Sequence, residues 1–249
     1  RLKNLMADSS VENRISYAKA CSGEGGEWYN LSDYRLAIEL LRSGVRVIEN
    51  VHDLDARKRL ALQYKWIGKS YEKMGSYDTA ATYYEHEYQI QIALGDKDAQ
   101  AGALDNQAYL LSKIGRYRES YQLYSKAYDL HAQAGNRNDA GFSKSNMGQV
   151  LFSLGRYDSA IAAHREAIEL RRETGNLKGQ AYSWKKLAAL FRESGDVSKS
   201  LLAYDSALAI YRRLDEPEEH GDLLEEIGGQ YTKLKDQAHA QQYYNEALQ

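Results

Sequence analysis

Few residues in this 249-residue chain have both the type and the spacing for chemistry. Six histidines, His52, His86, His131, His164, His220 and His239, are scattered along it. None sits in a His-Glu-x-x-His pattern, which would turn two imidazoles to one helix face for a metal. Cys21 is the sole cysteine, so a disulfide framework and a cysteine-based metal site are excluded. A lone thiol suits a reducing, cytoplasmic setting. Ser22-Gly23-Glu24-Gly25-Gly26-Glu27 is glycine-rich but has no Gly-Lys-Ser/Thr end and no preceding strand. It reads as a flexible loop rather than a phosphate cradle. Asn30-Leu31-Ser32 fits a glycosylation sequon, which has meaning only in a secreted protein. What remains is suited to binding. Lys65 and Lys69 lie at i and i+4, on one helical face. Asn106 and Asn146 offer amides that both donate and accept, as a peptide backbone does. We expect no catalysis, no cofactor and no metal.

The elements that must position these residues are repeated. Gly75-Ser76-Tyr77 returns as Gly115-Arg116-Tyr117, Gly155-Arg156-Tyr157 and Gly195-Asp196-Val197. A degraded copy, Lys235-Asp236-Gln237, follows, and every step is 40 residues without insertion. A second turn keeps that register at Gly95, Gly135, Gly175 and Asp215. Between the turns small residues recur at Gly68, Ala108, Gly148, Ala188 and Gly228, and again at Ala80, Ser120, Ala160, Ser200 and Ala240. Bulky ones recur at Tyr71, Leu111, Leu151, Phe191 and Tyr231, and at Tyr84, Tyr124, His164, Tyr204 and Tyr244. The next slot holds Glu87 once, then Ala127, Ala167, Ala207 and Ala247. Small residues let two helices approach closely, and aromatics fill the space beside the contact. The pattern predicts helix A near 60–73, 100–113, 140–153, 180–193 and 220–233. It predicts helix B near 78–93, 118–133, 158–173, 198–213 and 238–249. His164 then reads as a packed substitute for tyrosine.

Upstream, Leu2, Leu5, Met6, Val11, Ile15 and Ala18 predict a helix over 1–22, broken by the glycine-rich stretch. Tyr34-Arg35-Leu36-Ala37 echoes Tyr77-Asp78-Thr79-Ala80 at an offset of 77 − 34 = 43, so a helix B restarts there. No matching helix-A signature precedes it. Residues 1–60 are expected to form a divergent repeat with an altered first helix that serves as a terminal cap, followed by repeats at 61–100, 101–140, 141–180, 181–220 and 221–249 in one continuous solenoid.

Tyr64-Ile67-Gly68-Tyr71 and Trp184-Leu187-Ala188-Phe191 in helix A, with Ala80-Tyr84 and Ala160-His164-Ala167 in helix B, resemble the tetratricopeptide repeat family. That family's usual repeat is about 34 residues. The longer period is similar to the subclass found in LGN-type adaptors, rapsyn and kinesin light chains. The resemblance implies an all-α, right-handed superhelix of antiparallel helix pairs whose helix-A residues line a concave groove. Carried over by position, it assigns to that groove Lys65, Trp66, Lys69, Asp105, Asn106, Tyr109, Phe142, Ser145, Asn146 and Gln149, then Tyr182, Lys185, Lys186, Asp222, Glu225 and Glu226. It implies a peptide segment of another protein as the ligand. Lys65, Lys69 and Asn106 match positions of the family's carboxylate clamp. Lys69 stands where the clamp has Asn, however, and Phe142 and Asn146 stand where it has basic residues, so a clamp is not expected.

Composition sets the remaining bounds. A 27% charged and 43% hydrophobic chain is a folded globular one. A net charge of −2 gives no global field for nucleic acid, and Glu225 and Glu226 interrupt any basic stripe. No apolar run is long enough to span a bilayer. The chain begins at Arg1 and stops within a helix-B pattern, so we expect flanking domains in a longer parent. The leading expectation is a protein–protein interaction scaffold. The alternative is a regulatory or sensor domain of a larger signalling enzyme or transcription factor.

Overall fold

The computed structural model describes residues 10–214 and 217–248, and these hold twelve α-helices and no strand. Leu2, Leu5, Met6, Asp215 and Glu216 lie outside the described residues. By their contacts the residues fall into two compact units, 1–134 and 135–249. The first holds α1 (Val11–Asn30), α2 (Tyr34–Ile48), α3 (Leu54–Lys73), α4 (Tyr77–Leu94), α5 (Lys97–Lys113) and α6 (Tyr117–Gln133). The second holds α7 (Arg137–Ser153), α8 (Tyr157–Glu173), α9 (Leu177–Glu193), α10 (Val197–Leu214), α11 (Pro217–Lys233) and α12 (Gln237–Ala247). Within each unit, odd and even helices pair across a short turn, and successive pairs stack. The protein is an all-α helical repeat.

The forty-residue motif has a local cause at each turn. Gly75, Gly115, Gly155 and Gly195 adopt φ between 73° and 83°, the left-handed conformation that glycine reaches without cost. The amide that follows each one donates to the carbonyl five residues back, as in Ser76 N to Tyr71 O at 2.9 Å. That bond closes helix A. Lys235 occupies the same slot at φ 62° and Ser32 occupies it in the first pair at φ 63°. The same bond recurs there, from Asp236 N to Tyr231 O and from Asp33 N to Trp28 O, both at 2.9 Å. At the second turn a left-handed glycine precedes a capping side chain. Asp96, Asn136 and Asn176 accept from the amide three residues on, at 3.0, 3.1 and 2.7 Å. Every regular helix A starts a few residues before the expected boundary, and in α3, α5, α7 and α9 a capping side chain rather than the first periodic residue sets that start. Pro217 opens α11, where its missing N–H is harmless.

The core contact is a helix-A small residue against a helix-B ring. A Cβ on Gly68 would stand 2.7 Å from Tyr84, on Gly148 2.8 Å from His164, and on Gly228 2.8 Å from Tyr244. Where helix A carries Ala108 or Ala188 instead, helix B carries serine rather than alanine. Ser120 Oγ donates to Ala108 O at 2.7 Å, and Ser200 Oγ to Ala188 O at 2.9 Å.

This geometry corrects the reading of the glycine-rich stretch. The Ser22–Glu27 stretch is not a loop, because α1 runs through it to Asn30. Gly25 is buried, and a Cβ there would lie 2.8 Å from Leu41 Cγ. The spacing, 41 − 25 = 16, equals 84 − 68, so Gly25 and Leu41 are the small and bulky pair of a sixth repeat. Tyr29 lies in the last turn of α1 with its ring 5.1 Å from Trp66 and 5.5 Å from Tyr34.

Two buried titratable residues stand out in the first unit. His131 on α6 is 2% exposed, with Nδ1 2.6 Å from Asp98 and Nε2 3.1 Å from Asp105, both on α5. Burial opposes its charge, but the two carboxylates outweigh burial and raise its pKa. Glu87 on α4 is 2% exposed where three sibling slots hold buried alanine, and its Oε2 has no partner. Burial pushes its pKa up to about 7, against the pull of Lys65 and Lys69 on α3.

Three outcomes are expected. Lys235→Gly relieves a left-handed non-glycine and stabilises α12 by about 1 kcal/mol, read as slower amide exchange in that helix. His131→Gln destabilises the first unit most in mildly acidic buffer. A raised pKa contributes stability that is complete below the unfolded value and is lost as pH climbs through the folded one. Denaturation of wild type and variant at pH 5.5 and pH 9 checks this. Glu87→Ala stabilises the chain, and its advantage grows as pH rises from about 4.5 through about 7, where the native carboxyl keeps a proton that the unfolded one releases.

Candidate functional site

Burial separates the residues expected in the groove into two sets. In the first unit, Lys65, Trp66 and Lys69 are half-buried on α3, with Lys69 Nζ 5.1 Å from the Trp66 ring centre. Burial, then the charge of Lys65, lowers the Lys69 pKa. On α5, Asn106 is half-exposed and Tyr109 exposed, with Lys113 Nζ 5.0 Å over the Tyr109 ring. Cations over aromatic faces hold both partners in place on the surface.

In the second unit, Phe142, Asn146 and Gln149 on α7 reach solvent, as do Tyr182, Lys185 and Lys186 on α9. Lys186 Nζ lies 5.2 Å over Tyr182. Glu225 is exposed on α11, while Glu226 is engaged: Lys185 Nζ is 2.7 Å from its Oε1, and Tyr204 Oη donates to its Oε2 at 3.0 Å. Lys185 and Glu226 therefore neutralise each other rather than standing as free charges. Among the described residues, no hydrogen bond ties the side chain of Asn106 or Asn146 to the protein. Their amides remain available.

Asp105 and Ser145 do not belong with these residues. Asp105 is buried against His131, and Ser145 is buried with its Oγ 3.3 Å from His164 Nδ1. Each precedes a surface asparagine by one residue, and that step of 100° around a helix turns it inward. His164 is 1% exposed with its pKa pushed down to about 4, by burial first and then by Lys186 and Arg171. It is the packed aromatic that the sequence predicts. Arg171 went unrecognised in the sequence, yet it is a buried cation in the second unit. Comparing its slot across repeats, Gln91, His131, Arg171 and Tyr211, is the signal that singles it out. No described helix is long and apolar enough to cross a membrane.

Comparison with known proteins places this geometry. The family described as Tetratricopeptide repeat matches residues 99–173 and 139–213. No curated protein is significantly similar in sequence. Among solved structures, BtubC from P. vanneervenii is similar over 96% of this chain and 90% of its own, with 20% identity and a TM-score of 0.71. A Rap protein complexed with competence and sporulation factor is similar over 99% of this chain and 77% of its own, with 13% identity and a TM-score of 0.67. A signal transduction ATPase with a tetratricopeptide repeat sensor, from Pyrococcus horikoshii, reaches a TM-score of 0.75 at 15% identity. That match covers 94% of this chain but 37% of the ATPase. Such identities carry the fold alone. The matched segments, the turns and the small-against-aromatic packing agree, and residues 99–213 of the chain are tetratricopeptide repeats.

Proposed function

We propose that the chain is a non-catalytic interaction scaffold whose helix-A faces bind a peptide segment of a partner protein. One observation carries this reading. Asn106 and Asn146 hold the same repeat position on α5 and α7, half-exposed, with amides unclaimed by other described residues. Each amide can pair with one N–H and one C=O of a ligand main chain, whatever its side chains. Trp66, Tyr109 and Tyr182, each beside a lysine, supply apolar area with a cation at its edge. Lys65 and Lys69 add positive charge to the first unit's face, and Glu225 gives the second a negative end. Glu225 on that face disfavours a nucleic acid backbone. The Rap protein held in complex with a factor supports the reading by its fold alone.

A second reading, a sensor module within a larger signalling protein, has its support in the likeness to the repeat sensor of the Pyrococcus horikoshii ATPase. The full parent sequence separates the two, since an output domain beside these repeats favours the sensor. A cytoplasmic setting belongs to either proposal.

Affinity purification with mass spectrometry, comparing wild type with Asn106→Ala/Asn146→Ala, tests the scaffold. The expected result is loss of a small set of partners at an unchanged thermal midpoint. An unchanged partner set moves the interaction off the helix-A faces, and a lowered midpoint returns the asparagines to the packing.

A further inference from the structure

The second unit contains a pocket of about 440 Å³ on its helix-A side, lined by Phe142, Arg171, Gly179, Tyr182, Tyr211 and Glu219. Two features set it apart from an ordinary surface hollow. Phe142 and Tyr182 occupy one repeat slot on α7 and α9 (182 − 142 = 40), and they are 46% and 40% exposed. Two rings so exposed beside one pocket are apolar area open to a ligand, although Lys186 lies over one side of Tyr182. The second feature is Arg171, which is only 4% exposed. Its stem passes between two glycines: a Cβ on Gly141 would stand 3.1 Å from Arg171 Cγ, and one on Gly179 2.7 Å from Cδ. The backbone therefore leaves a channel shaped for this side chain.

Two polar side chains beside the pocket already have partners. Glu219 pairs with Lys178 Nζ at 2.8 Å, and Asn176 accepts from Gly179 N. Arg171 Nη1 donates to Gly179 O at 2.8 Å and to Ser183 Oγ at 2.7 Å, both neutral acceptors, while Nε has none. The repeat itself shows what is missing. His131, in the same slot one repeat earlier, is neutralised by Asp98 and Asp105. Moved forward by 40, those positions hold Asn138 and Ser145, neither of them acidic. Asp139 acts on Arg171 only through space and is itself held by Asn136 and Asn138. A buried guanidinium with an unmatched N–H and no carboxylate contact is costly on its own, and a ligand anion would offset that cost.

We infer that this pocket recognises an aromatic residue with an acidic neighbour in the partner's segment. The ring enters between Phe142 and Tyr182, and the carboxylate meets the guanidinium of Arg171. The inference rests on the peptide-binding reading and names the side chains that the second unit selects.

Panning a random-peptide phage library on the wild-type chain tests both readings separately. The expected result is enrichment of peptides in which Phe, Tyr or Trp lies beside Asp or Glu. A synthetic peptide of that kind should lose about tenfold in affinity when its acid becomes the amide, the share of one charge-assisted hydrogen bond. It should lose nothing further on Arg171→Gln, and Phe142→Ala/Tyr182→Ala should remove the aromatic preference. The acid-to-amide change is made in the peptide, so it reads out even if Arg171→Gln fails to fold. Enriched peptides without the aromatic–acid pair, or equal affinity of acid and amide forms, overturn this inference and leave the peptide-binding scaffold standing. No enrichment at all overturns both.

Discussion

Everything in this chain depends on how closely helix A and helix B approach within each repeat. Gly68 against Tyr84, Gly148 against His164 and Gly228 against Tyr244 leave no room for a methyl group without a shift. Such a contact fixes the spacing and the rotation of the pair together, because only one face of helix A is smooth enough to take a ring. Once that rotation is set, the outward positions of helix A follow. Lys65, Asn106, Asn146 and Lys185 reach solvent because the residues three or so places away from each are locked inward. The surface is thus a by-product of the core.

The same constraint explains which positions tolerate polar residues. The ring slot ends near solvent, so a tyrosine hydroxyl finds a partner: Tyr84 Oη donates to Glu72 at 2.7 Å, and Tyr204 Oη meets Arg192 and Glu226. Burial, then Glu72, raises the Tyr84 pKa, so it stays a neutral donor. Deeper slots have no such outlet. Glu87, His131 and Arg171 sit where siblings place alanine, glutamine or tyrosine, and each needs a local answer. His131 has two carboxylates. Glu87 keeps its proton near neutrality. Arg171 has only neutral acceptors, and that imbalance separates it from its siblings.

The repeat was legible because the chain is its own alignment: a 40-residue step without insertion exposes each slot four or five times over. The turns, the helix C-termini and the small-against-ring pairs came directly from that comparison. The helix A of the sixth pair stayed hidden for two reasons. Its offset is 43, and its helix-A glycine lies among Gly23 and Gly26, where composition argues for a loop. Glycine in number says loop, but glycine at a fixed distance from a bulky partner says helix contact. Facing was harder still. Asp105 and Asn106 are neighbours with opposite environments, and sequence alone does not say which of the two the histidine on α6 will draw inward. Lys185 and Glu226 lie 41 residues apart, and their pairing is visible only once α9 and α11 are side by side.

The serine-to-carbonyl bonds at Ala108 and Ala188 carry a consequence for how such a chain can be rearranged. A glycine-type helix A comes with alanine in helix B, and an alanine-type helix A comes with serine. The compatible module is therefore the whole pair, from one outer turn, such as Gly95-Asp96 or Gly135-Asn136, to the next. Recombination that cuts at those turns shuffles, deletes or duplicates intact modules. A cut at the inner turn instead joins an alanine-type helix A to a partner that lacks its serine. The inner turn is a bond within the heritable part, and the outer turn is the seam.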